Sequence, residues 1–429
     1  VYKRQALSYN VSGINNTAVG YTSMSFATGG NGNTAVGVAS LQRNVGGKYN
    51  TALGYLAMNA FNEPNADSAE YNTAVGSGSM AFMATGSYNT AVGSYAMSQN
   101  SSNSNSAFGH YALSSYNSGD KNNAFGANAL LSNTAGYQNI AIGNDAQRNN
   151  REGSDNVAVG VSALFSNFSG VGNMAVGNNA LSLNEGGFNN VAVGTWSLNA
   201  NTDGSNNTAI GTYANTGSSN LFNATAIGYD ALVTASDKVR LGSAFVTVIE
   251  GQVAYSFPSD GRFKTNISNA DVKGLDFITK LRPVNYNFDT KKYEEFLTKN
   301  MPDSIRRKIL AQDFTKSTAL RQTGFIAQEI EKAAKEAGYD FSGGLHIPEN
   351  ENDNYSVAYS QFVVPLVKSV QELNAKVEAL EKENNALKGN STPIAQPRTQ
   401  IKTTEGFRGD ENPIITAQQK EIDTLKTQN

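Results

Sequence analysis

Through its first half the chain repeats one order of polar and apolar positions: Asn, a variable residue, Ala, an apolar β-former, Gly. It stands as Asn-Thr-Ala-Val-Gly at Asn16–Gly20 and Asn33–Gly37 and as Asn-Thr-Ala-Leu-Gly at Asn50–Gly54. Further copies end on Gly76, Gly93, Gly109, Gly126, Gly143, Gly160, Gly177, Gly194, Gly211 and Gly228. Ten of the twelve intervals between these thirteen glycines are 17 residues; the others are 22 and 16. Ala stands two before every one, and Asn stands four before in twelve of the thirteen, Ala224 being the exception. A second phrase follows shortly after, as in Ala112-Leu113, Ala129-Leu130, Ala163-Leu164, Ala180-Leu181 and Ala231-Leu232.

A short fixed period predicts a solenoid. A 17-residue unit is too small for a helix–turn–helix and suffices for two short strands with two turns. Strand alternation puts Ala and its apolar neighbour on opposite faces. One then lines the coil interior, and the other meets something outside it, a neighbouring chain being the natural candidate. The Gly suits a positive-φ turn or a close backbone approach, and the Asn column predicts a hydrogen-bonded ladder. Thirteen coils at about 4.8 Å each would make a rod roughly 60 Å long.

Composition divides the chain in two. Residues 1–250 carry 9 Lys+Arg, 12 Asp+Glu and 31 of the 41 Gly, whereas residues 251–429 carry 24 charges of each sign and eight of the nine Pro. Such a shift marks a boundary between architectures. The absence of Cys excludes a disulfide scaffold, a thiolate metal site and thiol catalysis. Two distant histidines, His110 and His346, leave little for zinc chemistry, so no metal or cofactor is expected. A net charge of −3 gives no reason to expect nucleic-acid binding. No apolar run is long enough for a membrane-spanning helix. The chain opens at Val1 among repeat-like residues and without Met, as an interior fragment would, so a missing export signal carries no weight. The acids of the rod, among them Asp67, Glu70, Asp120, Asp145, Glu152, Asp155, Glu185 and Asp203, lack the paired spacing of a glycosidase. Trp196, the one Trp, reads as a surface anchor or a buried filler.

After the last copy, Val239–Gly242 and Phe245–Tyr255 read as short strands leading into Ser-Phe-Pro-Ser-Asp-Gly-Arg-Phe-Lys-Thr-Asn-Ile at 256–267. Taken alone, Pro258–Gly261 is a turn. A Ser hydroxyl is a poor nucleophile without a base, and no His is near Ser259; Lys264 could serve if burial or nearby cations lowered its pKa. Fully extended, the spacing separates the two by about 17 Å. The chain must therefore fold back, which Gly261 allows, or the Lys must come from a neighbouring chain. Attack by Ser259 on the preceding carbonyl closes a five-membered ring, an N→O acyl shift that favours scission at Pro258–Ser259. Scission at Ser259–Asp260 stays open if another group attacks.

Farther on, Val363, Leu366, Val370, Leu373, Val377, Leu380 and Leu387 keep a 3–4 spacing, with Asn384 on the remaining core position. They predict a coiled coil over 363–388, about 39 Å of helix, flanked by Lys376 toward Glu381 and Glu383 toward Lys388. Residues 389–412, with four Thr and two Pro, read as linker. Ile415, Ile422 and Leu425 hint at a short helix over 413–429, perhaps cut off at Asn429. The cluster Glu349–Asn354 reads as a solvated loop rather than a cation site.

Two resemblances follow from these phrases. The thirteen copies, over about residues 10–235, resemble the head repeat of trimeric autotransporter adhesins, which implies a trimeric left-handed parallel β-roll; the longer period here implies longer loops. The Ser-Asp-x-Arg-x-Lys-x-Asn-Ile phrase resembles the self-cleaving intramolecular chaperone of phage endosialidases and tail fibres, a module also found in a membrane-bound eukaryotic transcription factor. Gly274–Phe288 resembles that module's helix and strand, and Thr323–Ile330 its Gly-Phe-Ile-Ala-Gln-Glu phrase. Val357-Ala-Tyr359 departs at Ala358 from its Val-Asp-Tyr, and the charged stretch Lys291–Ser317 has no place in the family's pattern. The resemblance implies Ser259 as nucleophile and Lys264 as base, with Asp260, Arg262 and Asn266 in support.

The resulting expectation is a mainly β homotrimeric fibre. It has a β-roll rod at 1–235, a β-rich connector at 236–258, a self-cleaving α+β chaperone domain at 259–362 and the coiled coil. The chaperone brings the chains into register and then cuts itself off as a single-use Ser-Lys endopeptidase. The fibre belongs to a virion tail or an extracellular or cell surface, with a host-surface glycan or protein as the candidate ligand of the rod. The rival readings are a bacterial surface adhesin with an inactive C-terminal trimerisation anchor and a phage spike with an enzymatic head upstream of Val1.

Overall fold

The structure, a computed structural model, describes residues 5–59, 69–82, 85–252, 256–301 and 303–389. The expected linker, apart from Gly389, and the short helix at 413–429 lie outside these residues, as do Asp67 and Val253–Tyr255. Each copy of the repeat forms one three-residue strand, and the strands stack in parallel and in register: Thr17 on Thr34, Ala18 on Ala35, Val19 on Val36, and so onward. The chain is thus a parallel β-solenoid followed by a small α+β region. The sheet has 14 strands. Its last, Val239–Leu241, sets Arg240 against Ala226 and lies in the stretch read from sequence as connector.

The repeat letters have physical reasons. Every phrase Ala from Ala35 to Ala209 is 0% exposed, because the same position recurs directly above and below and the coil is too thin for more. The opposite wall of the interior is filled by the second phrase, with Met24, Leu41, Met97, Leu113, Leu130, Leu164 and Leu181 buried. Gln147 stands in that column between Leu130 and Leu164, donating through Nε2 to the Ile140 carbonyl at 3.0 Å and the Asn156 carbonyl at 3.3 Å. The phrase Gly holds φ between 117° and 143°, and a Cβ at Gly160 would stand 2.5 Å from the Gly177 carbonyl oxygen. Both proposed reasons for Gly therefore apply at once.

The expected Asn ladder is present. Asn50 N–H donates to Asn33 Oδ1 at 2.9 Å, and Asn33 Nδ2 donates to the Gly47 carbonyl at 2.9 Å, a pattern renewed coil after coil. A second ladder was not foreseen. Asn133, Asn150, Asn167, Asn184 and Asn201 each donate through Nδ2 to the Oδ1 one coil back, at 2.7 to 3.0 Å, all buried. The expected second strand per coil is largely replaced by stacked turns. Alternate residues there, such as Tyr111 and Leu113, take φ of 55° and 51°, which breaks the extended backbone. Coil-to-coil bonding survives all the same, as in Leu113 N–H to the Ala129 carbonyl at 2.9 Å. Only Asn215–Thr216 and Leu232–Val233 pair as strands on that side among the described residues. Residues 245–252 also form no strand, having no further coil to pair with; Val248 and Ile249 are exposed.

The charged stretch Lys291–Ser317 forms helices α2 (Thr290–Leu297), α3 (Asp303–Leu310) and α4 (Thr315–Ala319), which follow the short helix α1 (Leu275–Ile278). Their apolar faces pack on the last coils: Leu297, Met301 and Ile309 bury against Leu232, with Tyr293, Phe296, Tyr213 and Trp196 around them. Trp196 is thus a half-buried packing residue. Asp353 ties the Glu349–Asn354 loop to the same place, paired with Lys238 at 2.9 Å and with His346. No cluster of metal-ligating side chains occurs among the described residues.

Beyond this cap, strand Val284–Asn287 pairs antiparallel with Arg321–Gly324, and helix α5 (Ala327–Ala337) stops at Gly338, φ 59°. Phe277, Ile330, Ala333, Phe341, Leu345 and Phe362 make the small core. A side chain at Gly324 would strike the Tyr359 hydroxyl, which accepts from Phe325 N–H at 3.0 Å. That contact explains the Gly of the Gly-Phe-Ile-Ala-Gln-Glu phrase and joins it to Val357-Ala-Tyr359. Helix α6 (Val363–Gly389) leaves Val370, Leu373, Val377 and Leu380 exposed. No helix among the described residues is long and apolar enough to cross a membrane.

Candidate active site

Residues 256–267 run exposed from the connector into the α+β region. Asp260 organises them. Its Oδ1 accepts from Arg262 N–H at 2.9 Å, capping a short 3-10 turn over Gly261–Phe263, while its Oδ2 accepts from the Arg262 guanidinium at 2.9 and 2.6 Å. The guanidinium and the backbone N–H hold the Asp260 carboxyl below the usual range, and the carboxylate in turn raises Arg262. The turn reverses the chain, so Lys264 Nζ lies 2.7 Å from Ser259 Oγ. One chain therefore brings the two together without help from a neighbour. Gly261 takes no positive φ here and a Cβ there would meet open space, so the fold-back comes from the Asp260 cap and not from glycine freedom.

Asn266 adopts φ of 52° and ends the turn region; no side-chain bond joins it to Ser259 or Lys264 among the described residues. The surroundings are apolar yet solvent-facing, with Phe257 69%, Phe263 82% and Ile267 76% exposed. In this geometry Lys264 Nζ donates to Ser259 Oγ. The dyad's geometry is built locally. Ser259 and Lys264 are both exposed.

Residues 259–339 match the model of the family described as chaperone of endosialidase. The match begins on Ser259 and ends on Tyr339, at the core, taking in the dyad, the paired strands and α5. This segment is a chaperone module of self-cleaving peptidase type. Joined to a parallel β-solenoid, it makes the chain a tail-fibre-like protein. No curated protein matches the chain.

Proposed function

We propose that the chain is one strand of a homotrimeric fibre whose C-terminal module drives assembly and then cuts itself from the rod at Pro258–Ser259. The observation that carries the reading is the contact of Lys264 Nζ with Ser259 Oγ at 2.7 Å, at the first residues of the family match. Ser259 Oγ attacks the Pro258 carbonyl carbon and gives its proton to Lys264. The Pro258–Ser259 C–N bond breaks as an ester to Oγ forms, and Lys264 returns the proton to the freed Ser259 amine. Water then cleaves the ester, leaving a Pro258 carboxylate and an unchanged Ser259 side chain. Asp260 and Arg262 hold the turn that aligns the pair, and Asn266 shapes its exit.

Two exposed surfaces support the trimer. Phe257, Phe263 and Ile267 surround the dyad, and Val370, Leu373, Val377 and Leu380 line α6. Packing of three chains would bury the first group, desolvate Lys264 and so tie scission to completed assembly. The exposed apolar positions of the sheet, such as Val19, Leu53, Phe108 and Ile142, suit the same packing along the rod. The fibre serves at a phage tail or an extracellular surface, with a host-surface glycan or protein as its ligand.

Ser259→Ala tests the reading: denaturing mass spectrometry should find only the full-length chain, while light scattering should still report trimers. Processing of that variant at the wild-type position and rate would reject Ser259 as nucleophile.

A further inference from the structure

Scission at Pro258–Ser259 would break the covalent link between rod and module, yet it would leave their contact at the rod's last coils untouched. On the rod side of the bond lie Leu232, Lys238 and Arg240; on the module side lie Tyr293, Met301 and Asp353. The apolar centre buries Leu232 with Leu297, Met301 and Ile309. Around it, Arg240 donates to Tyr293 Oη at 3.0 Å and stacks over that ring at 5.7 Å. Lys238 pairs with Asp353, whose side chain is 0% exposed, so parting the two would strip a buried carboxylate of its cation. Ala244 N–H donates to the buried Glu294 at 3.3 Å.

The repeat itself changes to suit this contact. Arg240 occupies the register position that is Ala in every preceding coil, opposite Ala226. A guanidinium there could not lie beneath another thin, Ala-lined coil; it fits only a partner that offers a ring face and a hydroxyl. The interior column ending at Leu232 would otherwise stand open, as the last unit of a repeat array does without a cap.

We infer that the C-terminal end of the rod is a docking surface for the module's helical insertion, and that the module stays seated on the rod by these contacts after the chain is cut. The inference rests on the scission reading above, and its test is arranged to separate the two.

A specific protease recognition sequence is inserted between Phe257 and Pro258 of the full chain carrying Ser259→Ala. The folded protein is cut with the added protease and run on native size-exclusion chromatography. Both pieces should elute together and part only in denaturant. Arg240→Ala, and Met301→Glu where it folds, should speed their separation about tenfold or more, as loss of a central contact does. Immediate separation of the pieces with the wild-type junction would overturn the inference. So would undiminished retention in both variants, which would show that some other contact holds the pieces. A native chain that fails to cut itself would count against the scission reading alone, since the inserted site is cut from outside.

Discussion

Replacing Asp230 with Asn should stabilise the junction between rod and module at neutral and alkaline pH, and should flatten its pH dependence. Asp230 is 2% exposed, and its Oδ2 has no hydrogen-bond partner. Burial first, and then the charge of Glu294 on the facing α2, push its carboxyl up to about 7 from an ordinary 3.8, against the opposing hydrogen bond of Gln312. Burial also raises Glu294, opposed by Ala244 N–H and by Arg240. A carboxyl raised in the folded state contributes its full stability only below the unfolded value. That contribution fades as pH climbs from about 4 through 7, at up to about 1.4 kcal/mol per unit and about 4 kcal/mol in all. Asn has the same shape and nothing to ionise. Hydrogen exchange of peptides covering 225–245 and 290–312, corrected for intrinsic rates and followed from pH 4 to 8 in the uncleaved Ser259→Ala background, reads the opening free energy directly. The wild-type junction should loosen steadily as pH rises, and the Asp230→Asn junction much less. Equal slopes in the two proteins would refute the reasoning, as would an Asn variant that opens more readily than wild type at pH 8.

Three further outcomes are expected. Lys264→Arg should abolish cleavage while leaving assembly intact, because a guanidinium keeps its proton; Leu373→Asp with Leu380→Asp should also stop cleavage, by keeping chains apart. Cleavage followed against protein concentration during refolding checks the link, and a concentration-independent rate with an active double variant would mean the dyad works inside one chain. Deleting residues 259–429 before synthesis should give misassembled rod by light scattering, since long β-assemblies with non-local contacts form slowly unaided, whereas native-like trimers from that chain would remove the chaperone role. Gly324→Ala should destabilise the module by about 1–3 kcal/mol in thermal melts through overlap with the Tyr359 hydroxyl, and adding Tyr359→Phe should recover part of the loss.

The solenoid could be read from the sequence because each of its constraints recurs. Ala, Gly and Asn at a fixed period each record the same neighbour one coil away, so a local pattern reports a non-local contact. The second Asn column was equally periodic, at Asn133, Asn150, Asn167, Asn184 and Asn201, but it lacked a flanking phrase to draw attention to it. The second strand was misjudged because Leu113 and its equivalents sit at positive φ, which no propensity of Leu suggests. At the site, Ser259 and Lys264 were legible as types, while their approach depends on the Asp260 cap and not on Gly261. The cap of the rod was the least legible part. Arg240 meets Tyr293 across 53 positions and Lys238 meets Asp353 across 115, in single copies with no period to betray them.

The in-register stacking of the sheet makes the rod a counter as well as a support. Each interior coil presents to its neighbours the same Ala, Gly and Asn positions that it receives from them, so one 17-residue unit can be gained or lost without disturbing those on either side. The insertion reads only the last coils, from Trp196 onward, and is indifferent to how many precede them. Reach can therefore vary in whole steps of one sheet spacing, about 4.8 Å, while the cutting and capping machinery keeps its design. The 22- and 16-residue units keep the first Asn column bonded all the same, with Asn72 N–H on Asn50 Oδ1 and Asn105 N–H on Asn89 Oδ1, both at 2.9 Å, so a unit can change length in its turns while the strand register holds. Duplication and deletion of whole units give such a gene a ruler with fixed divisions.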